Sequence, residues 1–154
     1  SNTQTNVYKN NEHSVSFRYT NNWKQAKPQL EGTLCLLYEY NIHASCVVSF
    51  IKAERNTVLK YDTNYMSFIA NSAWEDVTNL NVRFEKSGGK EFSICTFDSK
   101  LPNMVDGYSY PMKNIIYTTN SNGNRYMMIF TVQAENYDLL KNDVAIMAGT
   151  FSLL

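Results

Sequence analysis

For chemistry this 154-residue chain offers two histidines, three cysteines and scattered carboxylates, and none falls into a catalytic spacing. His43 and Cys46 stand three apart, and a regular strand would send their side chains to opposite faces. A Cys–His nucleophile pair or a metal site needs them together. His13 lies beside Glu12 at the start of a strand-like run and is expected in solvent. Ser87-Gly88-Gly89-Lys90 superficially resembles a phosphate loop. Such a loop needs a longer glycine spacing, Lys followed by Ser or Thr, and then a helix N-terminus. Glu91 follows Lys90 here and a strand pattern resumes, so a hairpin turn is expected. Glu75 and Asp76 are neighbours whose side chains diverge, and Asp106-Gly107 is a turn signal with too few oxygens for calcium. The sequence therefore gives no catalytic, cofactor-binding or metal-ligating residues, and an enzyme would require residues such as Cys95 or His43 to meet in a cleft.

The three cysteines cannot all pair. Cys35 and Cys46 lie on consecutive strands and face each other if the turn between them centres on Tyr40-Asn41, but not if it centres on Asn41-Ile42. Two readings stay open: three buried small apolar side chains, or a Cys35–Cys46 disulfide. Cys95 sits within a third apolar strand.

Aromatic residues carry the remaining lead. Tyr108 and Tyr110 fall, with Met104 and Asp106, in the stretch Ser99–Pro111, which has two prolines, a glycine and no periodicity. Such a stretch reads as a loop, longer than the ~2–5 residues of an ordinary hairpin connection, and long loops in compact domains tend to be functional. Tyrosine supplies contact area at low entropic cost while its hydroxyl stays satisfied. The expected partner-binding residues are Tyr108 and Tyr110 as anchors and Asp106 shaping the turn; the competing reading packs both tyrosines onto the sheet. Trp23 is expected in the core.

Lys plus Arg equals Asp plus Glu at 14 each, so no net field attracts nucleic acid or an anionic membrane. Basic residues interleaved with aromatics are missing as well. Charged residues make up 18 %, with 11 tyrosines supplying uncharged polarity. No run approaches the ~18 apolar residues of a membrane span. Residues 1–12 are polar and aperiodic and read as an N-terminal tether, leaving 13–154 as a single domain. A mature exported or lipid-anchored protein, tethered upstream of Ser1, would begin this way, and so would a frayed cytosolic terminus.

The elements can be read from their periods. Val15, Phe17 and Tyr19 alternate with Ser14, Ser16 and Arg18, a strand with one wet face. Thr33–Tyr40 and Cys46–Ile51 are apolar on both faces and read as central strands. Asn56 or Thr57 can cap a helix placed at 57–76, its stripe running through Leu59, Met66, Ile69, Ala70, Ala73 and Val77. A hairpin through Ser87–Lys90 follows. Asn122-Gly123 is the strongest turn signal, since both central residues of a type I′ turn take positive φ. It sets Ser121 against Asn124, Thr119 against Tyr126, Tyr117 against Met128 and Ile115 against Phe130. The opposite face pairs Thr118 with Met127 and Ile116 with Ile129. Large apolar groups on both faces require cover on both faces. A second amphipathic helix, through Tyr137, Leu140, Val144, Met147 and Ala148 and stopping near Gly149, makes that cover available. The expected class is α+β: a mostly antiparallel sheet of about six or seven strands with helices packed on both faces.

This order resembles the PsbP-like α/β/α sandwich. The residues that carry the resemblance are Val15-Ser16-Phe17-Arg18-Tyr19 with the turn Asn21-Asn22-Trp23, Leu59 to Tyr61 opening the first helix, and Ile146 to Leu153 closing the chain; Thr20 stands where relatives commonly have proline. The fold hosts unrelated roles, among them photosystem extrinsic subunits, a Ran-binding import factor and bacterial exported proteins. The resemblance, with the absence of a catalytic constellation, implies a non-enzymatic binding or accessory module, exported or lipid-anchored in a bacterium and extracytoplasmic. Its partner would be a protein or small ligand, without cofactor or nucleic acid. The alternative is an intracellular partner-binding protein, such as a chaperone or inhibitor of a secreted effector.

Overall fold

A computed structural model of the chain describes residues 4–52 and 61–153. The strands are β1 (Thr5–Asn10), β2 (Val15–Thr20), β3 (Lys24–Ala26), β4 (Thr33–Glu39), β5 (Ala44–Lys52), β6 (Glu75–Ser87), β7 (Lys90–Pro102), β8 (Ser109–Ser121), β9 (Asn124–Gln133) and β10 (Ser152–Leu153). The helices are α1 (Thr63–Ala73) and α2 (Tyr137–Gly149). Seven strands form an antiparallel sheet in the order β3-β4-β5-β9-β8-β7-β6, and β1-β2-β10 form a separate three-stranded sheet.

The β8–β9 hairpin sits at the middle of the large sheet with the register its turn dictates. Asn122 and Gly123 have φ of +52° and +77°, and every cross-strand pair from Ser121–Asn124 to Ile115–Phe130 falls as expected. Both faces are buried. On one, Phe130, Met128, Cys46, Val48, Cys35 and Leu37 pack with Leu140, Val144, Met147 and Ala148 of α2 and with Val15, Phe17 and Tyr19 of β2. Trp23 joins this larger core at 2 % exposure. On the other face, Ile116, Met127, Cys95 and Phe97 lie beneath Met66 and Ala70 of α1. Helices on both faces of a two-faced apolar sheet are thus the observed solution.

Four local expectations need correction. Residues 5–10, placed in the polar tether, form β1, which pairs along its whole length with β2; only Tyr8 of this edge strand is buried, so its apolar pattern is too sparse to read. Helix α1 starts at Thr63, with the Asp62 carboxylate accepting the Tyr65 N–H at 3.0 Å, and ends at Ala73 rather than 76. The caps proposed at Asn56 and Thr57, and Leu59, lie outside the described residues. Glu75, Asp76 and Val77 belong to β6, where register shifts and positive φ at Asp76 and Asn79 disturb the two-residue period and imitate helical spacing. The Ser99–Pro111 loop is shorter than expected. Strand pairing runs on to Pro102–Ser109, leaving residues 103–108 as the turn.

Both prolines fit that longer ladder because each strand has outrun its other neighbour. β6 pairs with β7 only as far as Lys100, and β9 pairs with β8 only from Met112. Pro102 and Pro111 therefore remove no hydrogen bond that a third strand would need. The tip of β7–β8 projects from the sheet as a two-stranded arm.

The β4–β5 connection centres on Asn41-Ile42, since Glu39 pairs with Ala44 and Leu37 with Cys46. Cys35 faces Val48 instead of Cys46, and all three cysteines are free and buried.

A candidate contact surface at the tip of a hairpin

The projecting arm brings Asp106, Tyr108 and Tyr110 together. Its turn is organised by Asn103, whose backbone N–H donates to Tyr108 O at 2.8 Å while its carbonyl accepts from Gly107 N–H at 2.9 Å. The Asn103 side-chain oxygen accepts from the N–H of Val105 at 2.8 Å, an Asx turn. Gly107, at φ +72°, lets the chain double back. Asp106 then accepts twice: from the Tyr108 N–H at 2.8 Å and from the Tyr110 hydroxyl at 3.0 Å. The two rings meet edge to face, 4.7 Å between centroids. Hydrogen bonding to the Asp106 carboxylate, and its charge, raise the Tyr110 phenol above its ordinary value.

Neither tyrosine is core. Tyr108 is 57 % exposed, and beyond it Met104 and Val105 are 94 % and 97 % exposed on the turn itself. Tyr108 and Tyr110 also line one wall of a shallow depression of about 260 Å³ completed by Pro111, Gln133, Ala134 and Glu135. An ordered turn that holds a methionine, a valine and a tyrosine in water gains nothing in the isolated chain from doing so. Val105 and the organising role of Asn103 are what the sequence reading missed. The signal was present as Asn-x-x-Asp-Gly, an Asx turn running into a glycine that can take positive φ.

The other candidate residues are dispersed. His43 is exposed at the β4–β5 turn with φ +52°, whereas Cys46 is fully enclosed and burial pushes its thiol far up. Cys95 is enclosed beneath α1 on β7, apart from the β4–β5 turn that carries His43, and burial raises its thiol to about 11, which favours the protonated form. His13, expected in solvent, is half-buried with its ring against Phe50 at 4.6 Å. Asp98 pairs with Lys113 at 2.6 Å and accepts from Asn79 at 2.7 Å; burial pushes its carboxyl up, but those partners outweigh it and the net shift is downward. Among the described residues no three His, Cys, Asp or Glu side chains converge to hold a metal ion.

A second, apolar surface lies on the α1 side of the sheet, beyond the reach of that helix. Leu36, Tyr38 and Val47 are half-buried there, and with Ala26, Pro28 and Leu30 they line a groove of about 530 Å³.

No protein-family model and no curated protein sequence matches the chain. Solved structures do. Cyanobacterial PsbP from Synechocystis sp. PCC 6803 superposes with a TM-score of 0.69 at 12 % identity, over 100 % of this chain and 95 % of that one. The Ran-binding protein Mog1p of Saccharomyces cerevisiae gives 0.62 at 7 % identity, over 99 % and 96 %. LpqN of Mycobacterium tuberculosis, described as involved in cell envelope biogenesis, gives 0.58 at 8 % identity, over 99 % and 91 %. The chain has the PsbP-like α+β fold.

Proposed function

We propose that this protein is a non-enzymatic binding or accessory module that engages a protein partner through the β7–β8 tip. Tyr108 and Tyr110 are the anchors, Asp106 fixes their geometry, and Met104 and Val105 add apolar area. The observation that carries this reading is the near-complete exposure of Met104 and Val105 on a turn held by its own hydrogen bonds. The dispersal of His43, Cys46 and Cys95 supports the non-enzymatic half of it. The partner is identified by cross-linking from a photoreactive residue in place of Met104 in the living source organism. Replacing both Tyr108 and Tyr110 by Ala should then weaken capture at least ~10-fold with folding intact. Unchanged capture by that double variant overturns the assignment of the surface.

The module is further proposed to work outside the cytoplasm, in the periplasm or cell envelope and lipid-anchored or exported; the likeness to an envelope-biogenesis protein supports this. The likeness to a Ran-binding protein favours the other reading, an intracellular partner-binding protein. Fractionation of cells carrying the full gene product separates the two. Recovery with the envelope supports export, and a stoichiometric complex in the cytosolic fraction supports the alternative.

A further inference from the structure

β6 is an outer strand of the large sheet: β7 pairs along one side, and among the described residues no strand pairs along the other. Its two halves differ. From Glu75 to Asn81 the register shifts, with positive φ at Asp76 and Asn79, and bulges of this kind blunt an edge. From Asn81 to Ser87 the pairing with β7 is uninterrupted and ends at the two-residue turn Gly88-Gly89. A two-residue turn closes on a hydrogen-bonded pair, so Ser87, Glu85, Arg83 and Asn81 direct their backbone groups to β7. Lys86, Phe84 and Val82 direct theirs outward, a regular template for another strand that no described strand occupies.

The side chains of this segment complement themselves. Phe84 is 49 % exposed in the middle of the open edge, and Arg83 and Glu85 flank it, about half exposed and 3.1 Å apart. We propose that β6 is a homodimer interface, in which a second copy of this chain pairs antiparallel across a two-fold axis at Phe84. The two Phe84 residues then form a hydrogen-bonded pair. Each Arg83 faces the second copy's Glu85 in a non-hydrogen-bonded pair, where side chains come closest. Neighbouring registers lose this, and the nearest two, centred on Arg83 or on Glu85, oppose two like charges in a non-hydrogen-bonded pair. Centring on Val82 sets Phe84 against Leu80 in the bulged half and leaves both charges facing asparagine. Centring on Lys86 opposes two like charges. The open backbone allows several axes and the charge pattern selects the one at Phe84, independently of any role for the hairpin tip.

The test is the association state of the full chain by sedimentation equilibrium. A reversible dimer is expected for the native sequence. Arg83→Glu and Glu85→Arg, each of which opposes like charges, should weaken it at least ~10-fold. The double variant R83E/E85R restores complementarity and should return to within ~3-fold of the native constant. Separately, Phe84→Cys should give an oxidised covalent dimer, since opposed residues of a hydrogen-bonded pair have Cα atoms about 5.5 Å apart, within disulfide reach. Lys86→Cys should not. A native chain that stays monomeric to ~1 mM, a double variant no better than the singles, or equal cross-linking from both cysteine variants overturns the proposal. If a charge reversal fails to fold, the pair of cysteine variants still decides.

Discussion

The two hairpins built on β8 are held by opposite means. At the Asn122-Gly123 end, β8 and β9 run between strands on both sides, and Ile116, Phe130, Met127 and Met128 are buried on two faces. At the other end, β7 and β8 run past their neighbours, and the turn over 103–108 is kept in shape by Asn103 and Asp106 while Met104 and Val105 face water. One hairpin is defined by what it buries, the other by local hydrogen bonds that burial does not require. Burial and exposed apolar surface are therefore separated along a single strand, which allows the tip to change without unfolding the sheet.

The largest expected effect tests the buried end. Phe130 is fully enclosed between Tyr117 and the α2 side of the core, and Phe130→Ala should cost about 3–5 kcal/mol by chemical denaturation. Tyr108→Ala in the same assay should cost less than about 1 kcal/mol, since its ring is mostly in water already. Comparable losses at the two sites would break the contrast.

This difference also decided what could be read in advance. The β8–β9 register follows from one turn chemistry and a two-residue period, and nothing in the tertiary structure overrides it. The tip was harder. Pro102 and Pro111 argue for a loop only where a strand has neighbours on both sides, and the sequence does not show where a neighbour stops. Asp106, Tyr108 and Tyr110 were recognisable by type and meet in the structure, but their mutual bonds depend on a turn six residues long rather than thirteen. The start of β6 is hidden for a third reason: its bulges break the two-residue period, while Val77 falls at helical spacing from Ala70 and Ala73. Strand β1 was missed because an edge strand with one buried side chain has no period to detect.

The glycines at the two turns sharpen the comparison. Gly123 and Gly107 have φ of +77° and +72°, and a Cβ at either would meet nothing within 4 Å. The local strain of an Ala substitution is thus the same at both, on the order of 1 kcal/mol. Gly123→Ala should lower global stability by that amount, because the central hairpin opens only when the sheet does. Gly107→Ala should lower it less, because the arm can relax locally, while amide exchange at Asn103–Tyr108 accelerates. Equal global losses would mean that the arm is cooperative with the core.

The smallest effect is a titration, and it isolates the bond that holds the tip in shape. The Tyr110 hydroxyl donates to the Asp106 carboxylate, and that bond, followed by the carboxylate's charge, raises the phenol above its ordinary value of 10.0. A raised acid holds its proton more firmly in the folded chain than in the unfolded one. The bond is therefore fully in place below pH 10 and is lost as the pH climbs through the raised value, where donor becomes anion beside a carboxylate. In Asp106→Asn the charge is gone, so ultraviolet titration should show Tyr110 ionising at lower pH than in the native chain, with no measurable change in unfolding midpoint at pH 7. An unchanged titration would mean that the Asp106–Tyr110 bond is not formed in solution, and Asp106 would lose its place in the proposed contact surface.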